Sequence, residues 1–209
     1  MKHNLFRRLV VMTAGVLTLG AGVFLFICSG FGTDPCTCTN LGIAARIGLS
    51  FGIWQLIANG IILVFVLFIQ PRMIGIGTVV NMSLVGLTAD FLRGLFPGIA
   101  SGTLPFAVRV ALLLIGVTVL GLGAALYIIP NLGISPYDCI GFIAAEKTHV
   151  DFRICRIVCD AVFVLAGYLL GSRVGAGTLV AALCTGPFIR FFQKLLLPRL
   201  FPGAIETDK

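Results

Sequence analysis

Six polar side chains stand out in an apolar chain as candidates for chemistry: Thr33, Asp34, Asn59, Ser135, Asp138 and Asp160. Four of them open two short segments. Asp34 precedes Pro35, Ser135 precedes Pro136, and Asp138 follows three residues after that serine. A Ser or Asp at the N-cap, a proline at the first helical position and an acid in the first turn are helix-start chemistry. Such a start presents unpaired N–H groups and roughly half a positive charge. The segments at about 35–47 and 136–147 are therefore candidate solute-binding elements, with Thr33, Asp34, Ser135 and Asp138 beside the solute. Each acid already answers the positive end, which disfavours a simple anion site there. The alternative is two interfacial helices that only link longer segments.

Asn59 and Asp160 lie deeper. Each is about nine residues into an apolar segment, or ~13 Å at 1.5 Å per residue, close to a bilayer midplane. An ionisable group there costs ~2.5–3.5 kcal/mol on insertion scales, so it has a partner or a task. Arg156 stands one helical turn before Asp160 and offers a local structural partner. A coupling or substrate site, with Asp160 facing Asn59, is the other reading. Asn59 also suits interhelical hydrogen bonding, as does Asn81. Asp90, with Arg93 three residues on, reads as an interfacial pair.

Other chemistries find less support. Gly75-Ile-Gly77-Thr78 and Gly175-Ala-Gly177-Thr178 lack a preceding strand and a Walker lysine, so they read as close-packing sites. Cys36, Cys38 and Cys139 invite a soft-metal reading, but no histidine lies near them in sequence, and no metal or cofactor is assigned. Cys28, Cys155, Cys159 and Cys184 read as small packing residues, and a disulfide framework is not expected. No zinc-protease motif, serine elbow or facing carboxylate pair points to an enzyme.

The elements that position these residues are membrane elements. Hydrophobic residues make up 58% of the chain and charged residues only 11%, far below the quarter expected of a soluble domain. The net charge of +7 comes without a basic run or basic-aromatic stripe, so nucleic acid is not a partner; the lipid bilayer is. Six segments, near 9–29, 51–69, 75–96, 107–129, 152–170 and 175–197, are long enough to cross ~30 Å of hydrocarbon. The first is read as an uncleaved span, being long for a signal peptide.

A 101-residue shift places Gly15, Gly20, Gly22, Gly32, Pro35 and Cys38 on Gly116, Gly121, Gly123, Gly133, Pro136 and Cys139. After a one-residue slip, Gly75, Gly77, Thr78 and Gly86 fall on Gly175, Gly177, Thr178 and Gly186. The expectation is a single all-α polytopic transmembrane unit over 1–209. Its repeats are at about 9–96 and 106–197, joined by a linker at 97–105, with a short basic N-terminus and a polar C-terminal tail. Three spans per repeat make the two halves inverted in topology, each with one short interfacial or re-entrant helix.

The pattern Gly-x-Gly-(x)9-Gly-x-x-Pro, seen at Gly20, Gly22, Gly32, Pro35 and again at Gly121, Gly123, Gly133, Pro136, carries a resemblance. With the two Gly-x-Gly-Thr strings, it resembles the YczE/YyaS/YitT family of bacterial integral membrane proteins over nearly the whole chain, closest to its short YczE-like members. The resemblance implies a multi-pass protein of the bacterial plasma or inner membrane and a transporter without an agreed substrate. The expected function is transport of a small solute held between the repeats. The alternatives are a non-transporting membrane partner or assembly factor, a substrate-capture subunit needing ATPase partners, and, for assembly, a homo-oligomer.

Charge placement sets the expected orientation. With the N-terminus cytoplasmic, Lys2, Arg7, Arg8, Arg72, Lys147, Arg153, Arg156, Arg190, Lys194, Arg199 and Lys209 share that face, against Arg46, Arg93, Arg109 and Arg173 opposite. Fusion reporters at residues 5, 102 and 205 test this. Residues 5 and 205 should report the cytoplasm and 102 the other side; a cytoplasmic signal at 102 would make the repeats parallel.

Overall fold

The computed structural model describes residues 4–100 and 104–202. Lys2, Lys209, residues 102 and 205, and 101–103 of the linker lie outside the described residues. Within them the chain is helical: α1 Leu5–Ser29, α2 Pro35–Ile47, α3 Phe51–Ile69, α4 Ile76–Leu95, α5 Pro97–Ala100, α6 Phe106–Ile128, α7 Pro136–Thr148, α8 Phe152–Leu169 and α9 Ala176–Leu200. Four of these, α1, α3, α6 and α9, are long and apolar enough to cross a membrane. α4 and α8 are of similar length, about 27–30 Å, but carry Asn81, Asp90 and Arg93, and Arg153, Arg156 and Asp160 respectively.

Local chemistry sets the boundaries. α1 starts four residues earlier than its apolar run, because the Asn4 side chain accepts a hydrogen bond from the Phe6 N–H. α2 and α7 start as their caps dictate: Asp34 accepts from the Thr37 N–H, and Ser135 from the Asp138 N–H. α3 has two N-terminal partners, its own Ser50 and the carboxylate of Asp90, which accepts from the Gly52 N–H at 2.7 Å. Asp90 thus serves a helix start as well as Arg93, from which it stands 3.9 Å away.

α1 and α6 form the central pair and run antiparallel. Gly15 meets Leu126 and Tyr127, Gly123 meets Leu19, Gly22 meets Leu120, and Gly116 meets Phe26. A Cβ at Gly15, Gly22 or Gly123 would stand within 2.7 Å of backbone on the facing helix. Lipid tails are as apolar as leucine, so what holds helices together here is close contact through small residues. α4 lies against α1, α9 against α6, and α8 packs on both α2 and α7. The outward faces are apolar and bare: Phe65 and Phe68 on α3, Ile157, Val158 and Leu165 on α8, and Leu179 and Leu183 on α9 are all exposed. A continuous apolar surface of this kind suits a lipid solvent.

The two loops that precede the short helices cross to the opposite half. The Gly77 N–H donates to Leu132 O at 2.8 Å, and the Gly177 N–H donates to Phe31 O at 2.8 Å. Thr78 Oγ1 donates to Ile134 O at 2.7 Å. The Gly-x-Gly-Thr strings are therefore the docking points of these loops. A Cβ on Gly75 would sit 2.1 Å from Leu132 O, and the loop glycines Gly32 and Gly133 have φ of 104° and 112° as well as close neighbours.

Gly123→Ala should lower stability by about 1–3 kcal/mol, the usual range for overpacking. Gly94→Ala, at a helical glycine with open space around it, should leave stability equal or raise it by up to about 1 kcal/mol. Unfolding in a mild detergent compares them, and equal behaviour of the two variants would remove the close-packing account.

Candidate functional site

The sequence-predicted residues separate into a cluster, a cavity residue and an outlier. The cluster lies where α7 and α8 meet. Arg156, on α8, donates from Nη1 to Asp138 at 2.6 Å and from Nε to Asp160 at 3.3 Å. Its guanidinium lies over the Tyr137 ring, 4.9 Å from the centroid. The Tyr137 hydroxyl donates to Asp160, and the Ser135 hydroxyl donates to Asp138 at 2.8 Å. Tyr137 is itself packed edge-on against Phe163. Ser135, Asp138 and Asp160 are thus one unit, and the local Arg156–Asp160 pair read from sequence is present within a larger network.

Asp34 approaches from α2. Its Oδ1 caps the helix, while Oδ2 is buried without a partner. Burial pushes this carboxyl upward, the Thr37 hydrogen bonds oppose, and the negative charge of Asp160 adds to the rise. Cys36, whose sulfur accepts from the Asn40 amide at 3.4 Å, lies in the same field. Its thiol is pushed up by burial first, then by Asp34 and Asp138, with Arg156 opposing. The cluster therefore sets two carboxyl groups on one guanidinium, with a third, that of Asp34, close enough to feel the charge of Asp160. That imbalance favours a neutral, protonated acid or a bound cation.

Asn59 is buried on α3, and its amide donates within the same helix, to Gln55 O at 2.9 Å. The hydrogen-bond partners of Asp160 are Tyr137 and Arg156 instead of the repeat-equivalent Asn59. Asn81 is also buried. Cys38 and Cys139 are fully buried, and Cys38 packs against Gly167.

Thr33 stands apart, 4% exposed, lining a cavity of about 350 Å³ with Gly30, Arg109, Ser172 and Arg173. Arg109 and its counterpart Arg8 are residues whose structural work sequence reasoning missed, since both were counted only as topology charges. Arg8 donates to Pro130 O and Asn131 O, and Arg109 donates to Ser29 O. Both residues and both targets are separated by 101 positions, so the repeat register contained the signal. Tyr137 had none: nothing in its neighbours distinguishes it from a packing aromatic.

A family model described as "Family of unknown function (DUF6198)" matches residues 6–194. "Uncharacterized membrane protein YczE" of Bacillus subtilis (strain 168) is 27% identical over 192 residues, covering 91% of this chain and 87% of that protein. An "Uncharacterized protein" of Haemophilus influenzae (strain ATCC 51907 / DSM 11121 / KW20 / Rd) is 29% identical over 195 residues, covering 91% and 85%. "Uncharacterized protein YyaS" of Bacillus subtilis (strain 168) is 24% identical over 189 residues, covering 87% and 90%. No solved structure matches.

Because Arg156 is shared, its removal should cost more than removal of either partner. Arg156→Gln leaves two carboxylates facing each other, whereas Asp160→Asn leaves Arg156 with Asp138. The expected loss for Arg156→Gln is up to about 3 kcal/mol, discounted for the partial exposure of all three side chains. Adding Asp138→Asn to Arg156→Gln should recover part of it. Chemical unfolding of the four proteins decides, and an Asp160→Asn loss equal to that of Arg156→Gln would dissolve the shared-cation account.

Proposed function

The chain belongs to the family of unknown function described as DUF6198, and we propose that it is a small-solute transporter of the bacterial cell membrane. One observation carries this reading. A partly exposed network of Tyr137, Asp138, Arg156 and Asp160, with the buried Asp34 carboxyl nearby, lies where a long helix packs on two short ones. Ionisable groups at membrane depth mark ion and solute pathways, and paired broken segments are where transporters of this type hold their cargo. The excess of carboxyl groups suits a proton, a small cation or the cationic group of a solute.

The proposed arrangement has six crossings, α1, α3, α4, α6, α8 and α9, in two inverted repeats of three, with both termini cytoplasmic. The antiparallel α1–α6 pair and the reciprocal loop docking at residues 77 and 177 support it. Movement of one repeat against the other would expose the network to each side in turn.

A solute-dependent thermal-shift screen on purified protein selects the solute, and uptake into proteoliposomes holding this protein alone tests transport. Asp160→Asn should reduce uptake about tenfold or more while the protein still folds. Wild-type uptake in Asp160→Asn would remove the network from the pathway. No autonomous uptake, together with co-purification of a defined partner, would favour an assembly factor or a capture subunit.

A further inference from the structure

The cavity beside Thr33 has a chemistry opposite to that of the carboxyl network. Two guanidinium groups converge on it. Arg109 Nη2 and Arg173 Nη1 lie 2.9 and 3.5 Å from the point where a Cβ on Gly30 would stand, so the absence of a side chain there leaves room for both. Among the described residues, no acidic side chain lines the cavity. Arg109 is fixed: its Nε donates to Ser29 O at 2.8 Å, and its plane lies over Phe31, 4.5 Å from the ring centroid. That leaves its Nη groups directed at the cavity. Arg173 has no hydrogen bond or ion pair to any described residue, and the loop that carries it is tied down where Ser172 Oγ donates to Cys38 O at 2.6 Å.

Thr33 supplies an independent observation. The residue lines this cavity, and its Oγ1 is buried with no hydrogen-bond partner among the described residues. A buried hydroxyl without a partner is unfavourable and points to a group that completes it. The neighbouring Asp34 does not line the cavity and caps α2 instead.

We propose that this cavity binds a compact oxyanion, a carboxylate or phosphate group, held by Arg109, Arg173 and the Thr33 hydroxyl. Two guanidinium forks and one hydroxyl suit a group with two or three oxygens on one centre. An anion would also neutralise two cations that repel each other across a gap of a few ångströms. At about 350 Å³ the cavity accepts a small solute or a lipid headgroup. Binding here requires no flux, so this site stands or falls separately from the transport reading.

The full chain in nanodiscs of zwitterionic lipid is titrated calorimetrically with inorganic phosphate and, separately, with succinate. Saturable binding of either probe is expected, weakened about tenfold or more in Arg173→Gln and several-fold in Thr33→Val. Arg173→Gln should melt like the wild type without probe, because Arg173 holds nothing else. A parallel set of nanodiscs containing phosphatidylglycerol distinguishes the sources of the oxyanion. Loss of probe binding there, restored in no Arg173→Gln sample, assigns the site to a lipid headgroup and supports the proposal. Equal affinity of wild type and Arg173→Gln, or no binding of phosphate, succinate or phosphatidylglycerol, overturns it.

Discussion

Where a helix ends, its last carbonyl groups lose their intrahelical partners, and each must find a donor elsewhere. Two such breaks lie between α1 and α2 and between α6 and α7. The donors come from the other half each time. Arg109 meets Ser29 O and the Gly177 N–H meets Phe31 O; Arg8 meets Pro130 O and Asn131 O, and the Gly77 N–H meets Leu132 O. Each half therefore depends on its partner half to keep the break that positions its short helix.

The same requirement explains the glycines. For one backbone to donate to another, nothing can lie between them, and a Cβ on Gly75 or Gly175 would meet a loop carbonyl. The φ values there are extended, so space and not conformation demands glycine. The α1–α6 contact obeys the rule as well. Without a hydrophobic drive between helices, contact area comes from close approach, which small residues permit.

Charge is distributed in two unlike places. The α7–α8 network has more carboxyl groups than cations, and Tyr137 and Arg156 hold its two α7- and α8-borne acids in place. The cavity at the end of α1 has guanidinium groups and, among the described residues, no acid. Thr33 and Asp34 are adjacent in sequence yet serve different places: one faces the cavity and the other caps a helix. The turn into α2 separates them.

The sequence by itself determined the helices. Apolar runs and cap residues placed all six long helices and both short ones within a few residues, because these depend on local backbone chemistry and on lipid as solvent. The Arg156–Asp160 pair was legible too, since a four-residue spacing on a helix fixes proximity. Tertiary structure decided what crosses between elements. Asp138 joins Arg156 only because α7 folds back on α8. Asp160 turns to Tyr137 and Arg156, where the repeat had suggested Asn59, because one donor stands a turn away on its own helix and the other on the helix packed against it. Arg109 and Arg173, far apart in the chain, meet only because the α1 terminus, the α6 start and the loop after α8 converge on Gly30. Local rules fix which residues form a helix, while the partner a side chain finds depends on which helix lies beside it.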